Sequence, residues 1–352
     1  MRVCRISLIV LAISILAIQA RAEENYWQIV KRYLEEDNAN PSAEGSSGTK
    51  EFLASLSADE LIIAARQCSA EMEQKVPPEE WDMAGMTLGF FYEYYPFKSN
   101  NLEDISPLLS DLKDKSQSSF WRHSIMQLLG TEWHRQLRDK PQSRLKAAYV
   151  MNDILLDTSE PTLLRVKAAI DSSYFLTNAH TWNLGQDIEI DWLVKKGAKL
   201  GDVIKDVKKG KVTPTNETIE RNKKIETTIA KSIQAQIDIL AEPNLPAYLG
   251  VNLLGSLTRL VGFDETGQIK QAMNNALHNY KNYDEYLWRY LIRANIIYFG
   301  NEEAKSILQQ MINDAKNKHE KEYTLPELKR DLDKGKIERK PYVPGSSLVK
   351  LP

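Results

Sequence analysis

The run Ile105-Ser-Pro-Leu-Leu-Ser-Asp-Leu-Lys-Asp114, followed by Phe120-Trp-Arg-His-Ser-Ile-Met-Gln-Leu-Leu-Gly130, decides how this chain is read. It resolves into two amphipathic helices, near 105–113 and 119–138, joined by a short polar link. Helix pairs of this kind, with elements of about 12 to 20 residues and short links, suggest a helical repeat.

The pattern extends in both directions. A first short helix is expected over 26–36. The Gly/Ser-rich stretch Asn38 to Thr49 reads as a flexible linker. Ser57-Ala-Asp-Glu60 is a capping box, in which Ser57 can cap the helix start while Glu60 reaches back. That helix should end before Pro77-Pro78, and Pro78 suits the first turn of the next, which carries Trp81 toward Tyr95 and stops at Pro96. Downstream, helices are expected over 141–156, 161–182, 187–196, 214–240, 247–261, 264–280, 283–299, 302–319 and 326–332. Ile225, Ile229, Ile233 and Ile237 recur every four residues and give the 214–240 helix one apolar stripe. No convincing alternation of β-branched residues occurs, so the expected class is all-α, with stacked antiparallel helix pairs and strand content near zero.

Self-similarity supports a repeat. Phe120-Trp-Arg-His-Ser-Ile125 aligns without a gap to Leu287-Trp-Arg-Tyr-Leu-Ile292; Trp121 and Trp288 are 167 residues apart, close to four units of about 42. Leu164-Arg-Val-Lys-Ala-Ala169 is a third candidate, with Arg165 lying 43 residues after Arg122. Ile105 to Asp114, then Phe120-Trp-Arg and Leu128-Leu-Gly130, resembles a HEAT repeat. So does the segment from Ile154-Leu-Leu-Asp157 to Phe175. The resemblance covers about half the chain and implies an α-solenoid or irregular α-α superhelix. It implies that the turn Asp (Asp114, Asp157) caps the second helix, and that a basic residue near its start (Arg122, Arg165 or Lys167) binds that acid or a neighbouring repeat. Residues 184–240 break the period.

The organisation expected is a signal peptide over 1–22, a short helix and linker over 23–49, a helical repeat domain over 50–334 and a disordered tail over 335–352. A sub-boundary is placed near 197–213. The leader has Arg2 and Arg5, an apolar run from Ile6 to Ala20, and Ala20-Arg21-Ala22 as small residues for a peptidase, with cleavage after Ala22. Its core of about 15 residues spans about 22 Å, short of a hydrocarbon core of about 30 Å, which favours export over an anchor. The expected location is secreted or periplasmic. Cys4 precedes the apolar run, a poor position for lipid attachment.

Removal of the leader takes away Arg2, Arg5 and Arg21. The remaining 330 residues hold 43 Lys+Arg against 48 Asp+Glu, a net charge of −5. That balance offers no overall attraction to nucleic acid or an anionic membrane. No later run of 18 apolar residues exists, so no membrane span is expected after cleavage. Cys68 is then the only cysteine, no intramolecular disulfide can form, and its place in an apolar-periodic run suggests a buried thiol rather than a nucleophile.

Catalytic motifs are sparse. His123 and His134 share a helix face but lie about 16 Å apart along the axis, too far to hold one ion; with Glu132 and Trp133 they could line a groove, or be unrelated surface histidines. His180, His278 and His319 stand alone. No zinc, calcium-loop, nucleotide-loop or nucleophile-elbow spacing occurs, and no cofactor or metal is expected. The lysine-rich run over 195–211 is either a patch for an anionic polymer or a solvated loop. Phe90-Phe-Tyr-Glu-Tyr-Tyr-Pro-Phe97 holds more rings than one helix face can bury, so some either stack on ligands or fill gaps between layers. Asn216-Glu-Thr218 is a glycosylation triplet.

Two functions lead, and a lipid or small-ligand carrier stays open beside them. One is an exported, non-catalytic scaffold binding a protein or peptide, since stacked helix pairs present extended surfaces. The candidate groove residues are Tyr94, Tyr95, Trp121, Arg122, His123, Trp133 and His134. The other is an α/α-toroid polysaccharide enzyme of lyase type, in which His123, His134, Tyr94 and Arg122 would converge.

Overall fold

Asp111 organises the helix pair from which the sequence reading began. A computed structural model describes residues 25–39, 48–84, 88–98, 105–132, 141–186, 209, 215–335, 343 and 345–348. All regular structure among them is helical, with no strand. The described residues form two compact units, divided after Leu128.

The first unit contains α1 (Tyr26–Ala39), α2 (Gly48–Ser55), α3 (Ala58–Lys75), α4 (Trp81–Ala84), α5 (Gly89–Lys98), α6 (Ser106–Lys113) and α7 (Ser119–Gln127). Its centre is α3, which packs on α1, α5 and α7. The expected capping box opens α3: Glu60 N–H donates to Ser57 Oγ at 3.3 Å, and Ser57 N–H donates to Glu60 Oε2 at 2.7 Å. The buried face of α3 carries Ala64, Ala65 and Cys68, small enough for neighbouring helices to approach closely. Burial pushes the Cys68 thiol up to about 12, so it packs as a small apolar group. Glu71 on α3 ties down α1, accepting from Trp27 Nε1 and Lys31 Nζ, each at 2.8 Å.

Two differences from the sequence reading have clear causes. α2 begins at Gly48, inside the expected linker, because the Asp37 carboxylate on α1 accepts its first N–H groups: Gly48 N at 3.1 Å and Thr49 N at 3.2 Å. A helix start capped from another helix leaves no local capping motif. Of the helix expected from Trp81 to Tyr95, the parts described as α-helix are α4 and α5, and α5 runs through Pro96 to Lys98. Proline so near a C-terminus removes one hydrogen bond and leaves little helix beyond it to disrupt.

The second unit contains α8 (Pro141–Leu156), α9 (Thr162–Gln186), α10 (Asn216–Leu240), α11 (Ala247–Leu260), α12 (Gln268–His278), α13 (Glu285–Phe299), α14 (Glu303–Asp314) and α15 (Leu325–Asp333). α8 and α9 pack along Ala147, Ala148, Ala168 and Ala169, all fully buried. α9 then meets α10 and α11 at a buried polar seam. There Gln236 Nε2 donates to Ser173 Oγ at 3.1 Å and to Ser232 Oγ at 3.0 Å, and Ser256 Oγ donates to the Ala169 carbonyl at 3.1 Å. Hydroxyls satisfy one another here while their small size lets three helices converge.

The isoleucine stripe of α10 buries Ile225, Ile229 and Ile233, but Ile237 is half-exposed. A four-residue repeat gains about 40° per step on a 3.6-residue helix, so the fourth isoleucine has rotated away and Gln236, Ile239 and Leu240 take the buried positions. The helix expected over 302–319 ends at Asp314, because the Glu285 carboxylate of α13 accepts Lys316 N–H at 2.8 Å and Asn317 N–H at 2.8 Å and draws the backbone out of the helix.

The expected signal peptide over 1–22, most of the expected linker (40–47), the expected helix over 187–196 and, apart from Lys209, the expected sub-boundary near 197–213 and the lysine run over 195–211 lie outside the described residues. The tail expected to lack structure contains a described turn over 345–347, whose Ser347 N–H donates to the Gly262 carbonyl at 2.8 Å.

Candidate functional site

Five of the seven sequence candidates lie in the first unit, and four are interior. Trp121 is fully buried and donates through Nε1 to Asp111 Oδ2 at 2.8 Å. Arg66 Nε donates to the same oxygen at 2.7 Å, and its Nη2 reaches Asp111 Oδ1. Arg122, 3 % exposed, donates through Nε to the Leu112 carbonyl at 2.9 Å. His123, 2 % exposed, sits edge-on to Trp81 with ring centroids 5.8 Å apart, its Nε2 3.4 Å from Asp82. Tyr95 is buried and stacked on Phe91 at 4.7 Å, and Phe91 meets Trp121 edge-on at 5.2 Å. Tyr94 is half-buried, and burial with nearby Glu93 raises its hydroxyl pKa. Trp133 and His134 lie outside the described residues.

Tyr95, Trp121, Arg122 and His123 are therefore packed in the interior of the first unit. The aromatic run at 90–97 contributes Phe91 and Tyr95 to the core, the gap-filling alternative for those two rings.

The turn geometry is more informative. Asp114 Oδ1 accepts Ser116 N–H at 2.9 Å and Ser116 Oγ–H at 2.7 Å. Forty-three residues later, Asp157 Oδ1 accepts Ser159 N–H at 2.9 Å and Ser159 Oγ–H at 2.7 Å. Arg165 Nε donates to the Leu155 carbonyl at 3.1 Å, as Arg122 does to Leu112. The acid thus folds the turn rather than capping the second helix; the α7 cap is Ser118, whose Oγ accepts Trp121 N–H at 3.0 Å. The arginine, likewise, binds the last carbonyls of the preceding helix rather than the turn acid, and Arg165 adds a contact to Glu242 at 3.2 Å.

The third aligned segment departs from this geometry. Trp288 Nε1 donates to the Tyr283 carbonyl five residues back, as Trp81 does to Val76. Arg289 stacks over Tyr286 at 4.1 Å and Tyr290 at 4.9 Å.

An open site lies in the second unit. A cavity of about 460 Å³ follows one face of α10 from Ile219 to Ile233, about 21 Å of helix. Its apolar lining includes Ile229, Ile233 and Phe263, and Leu348 from the C-terminal turn forms part of its wall. Asn222 and Glu226, one turn apart on α10, make it polar toward the helix start. Behind them His180, 1 % exposed on α9, places Nε2 2.9 Å from Glu226 Oε1 and 3.0 Å from Asn222 Nδ2. The His180 ring lies edge-on to Phe263 at 5.2 Å.

Asp264, also in the lining, is committed to structure: Oδ1 accepts Thr266 and Gly267 N–H groups, and Oδ2 accepts Ile269 N–H at 2.7 Å at the start of α12. The arrangement can bind a ligand with apolar and polar or cationic parts. Among the described residues no group of three or more His, Cys, Asp or Glu could hold a metal, and no helix is long and apolar enough to cross a membrane.

Sequence reading missed this site. Its available signal was the Asn222–Glu226 pair interrupting the start of the isoleucine stripe. His180 stood alone in sequence because its partners are 42 and 46 residues away. Comparison with known protein families, curated proteins and solved structures finds no match.

Proposed function

We propose that this chain is an exported, non-catalytic helical-repeat protein that binds a protein or peptide partner outside the cytoplasm. The observation that carries the binding reading is the α10 cavity, which runs along about 21 Å of helix and mixes apolar residues with carboxylates and amides in its lining, a form suited to a peptide. The repeat reading is supported by the matched Asp-x-Ser turns and arginine-to-carbonyl bonds 43 residues apart. It is in keeping with a HEAT-like class, in which successive helix pairs share one turn chemistry.

Arg122 and His123 are buried in the first unit, which takes them out of both the groove of the binding reading and the cleft of an α/α-toroid enzyme. The export reading is supported by the leader alone.

The test is affinity capture from the native envelope or secretome, with the mature protein as bait. Enrichment of one protein partner that binds the purified chain directly supports the reading. No partner, together with a thermal shift induced by an acidic glycan, overturns it in favour of the enzyme.

A further inference from the structure

We propose that the α10 groove recognises a peptide in which a leucine lies next to a lysine or arginine, and that the chain's own C-terminal turn competes for it. This rests on the peptide-binding function proposed above and gives it a location and a ligand chemistry.

A leucine carried by the C-terminal turn already covers part of the groove wall. Leu348 lies against the cavity that Ile229, Ile233 and Phe263 help to line. It is carried there by a turn in which Ser346 N–H donates to the Val343 carbonyl at 3.1 Å and Leu348 N–H to the Gly345 carbonyl at 3.0 Å. The turn is attached at Gly262 through the Ser347 N–H, 2.8 Å from the carbonyl, beside the cavity. A branched aliphatic side chain on a backbone that bonds to the groove rim is what peptide recognition requires.

The polar half selects a cation. Glu226 Oε1 is engaged by His180, while Oε2 has no hydrogen-bond partner among the described residues. Glu265 adds a second carboxylate to the lining, and the lining lysine, Lys223, lies 3.5 Å from Glu220. An ammonium or guanidinium at Glu226 would form a charge-assisted bond to a carboxylate already oriented by a buried imidazole. The sequence that follows Leu348 is Val-Lys-Leu-Pro, so the chain itself carries the proposed ligand chemistry.

Release of the internal competitor is set by Gly345. It has φ +69°, and a Cβ there would lie 3.2 Å from Glu265 Cγ. Alanine is therefore strained at this position and pressed against Glu265, so Gly345→Ala loosens the turn and withdraws Leu348 from the groove wall.

The experiment uses a fluorescent peptide of sequence Gly-Ser-Ser-Leu-Val-Lys-Leu-Pro, titrated by anisotropy into the full mature protein and two variants. Saturable binding to the parent is expected, about three- to tenfold tighter to Gly345→Ala, because a competing state is removed. Glu226→Gln weakens binding about five- to tenfold, as does a peptide with glutamate in place of its lysine. The peptide change needs no protein variant, so loss of fold cannot account for it. Absence of saturable binding to both the parent and Gly345→Ala overturns the proposal. So does binding indifferent to both Glu226→Gln and the peptide charge. A native partner captured equally by parent and Glu226→Gln protein removes this groove while leaving the scaffold function standing.

Discussion

Arg122 and Arg165, 43 residues apart, make the same bond: each donates through Nε to the carbonyl ten residues before it, Leu112 at 2.9 Å and Leu155 at 3.1 Å. In both cases that carbonyl lies in the last turn of a helix, where no intrahelical N–H is available. A buried guanidinium thereby closes one helix and fixes the start of the next. Arg122→Met and Arg165→Met keep most of the side-chain volume and remove the donor. Each is expected to lower stability by about 1–3 kcal/mol, and Arg165→Met also removes the ion pair with Glu242. Urea denaturation measures this; a change below about 0.5 kcal/mol for both would show the shared bond to be incidental.

Asp111 is a stronger test of the first unit. Its carboxylate, 6 % exposed, receives both Trp121 Nε1 and the Arg66 guanidinium. Asp111→Ala leaves a buried indole N–H without its acceptor and strips the arginine of its counter-charge. A loss of about 2–4 kcal/mol is expected. Arg66→Met should cost less than Asp111→Ala, since it leaves the indole bond in place. The reverse order in thermal or urea unfolding would contradict this division of roles.

Glu71 predicts an acid-sensitive step. Hydrogen bonds from Lys31, Lys75 and Trp27 hold its carboxyl down to about 2, against an ordinary value near 4.5. The folded state therefore keeps the carboxylate ionised after the unfolded chain has bound a proton. Its contribution is fully present above about pH 4.5 and is lost as pH falls toward 2. Glu71→Gln should melt below the parent at pH 7, and the two melting curves should converge near pH 2. A constant gap from pH 7 to pH 2 would show that Glu71 acts through packing alone.

Much of this architecture could be read from sequence, and what was missed has a common cause. Ser57 and Glu60 are three residues apart, so their capping box was visible. The 43-residue spacing from Arg122 to Arg165 was visible too, because each side chain bonds within its own helix pair. The start of α2 was hidden because its cap, Asp37, belongs to α1. The end of α14 was hidden because Glu285 belongs to α13. Trp121, Arg122 and His123 looked like groove candidates because polar and aromatic groups on one helix are also what a ligand site needs; only burial shows that they face the core. His180 and Glu226 are brought together by the packing of α9 on α10, which neither helix announces.

The proposed export reading makes a prediction independent of the fold. If residues 1–22 are a signal peptide, Ala20 and Ala22 direct cleavage between Ala22 and Glu23. Protein recovered from outside the cytoplasm should begin at Glu23, with a mass reduced by residues 1–22. Recovery with Met1 and the apolar run intact would show the segment to be retained and would remove the export reading.

The last prediction concerns one nitrogen. His180 Nε2 lies within bonding distance of both Glu226 Oε1, an acceptor, and Asn222 Nδ2, a donor. In the neutral ring a protonated Nε2 donates to Glu226, and a bare one accepts from Asn222. A bond to an ionised carboxylate is the stronger of the two, so the Nε2–H form should dominate in the parent protein. Glu226→Ala removes that acceptor while Asn222 remains, and the proton should move to Nδ1 so that Nε2 can accept the amide. Imidazole nitrogen shifts in a two-dimensional NMR spectrum distinguish the tautomers directly. The His180 ring contact with Phe263 should persist in both, since it requires no ring proton. An unchanged tautomer in Glu226→Ala would mean that Glu226 does not set the proton's position, and the groove carboxylate would lose the orienting role assigned to His180.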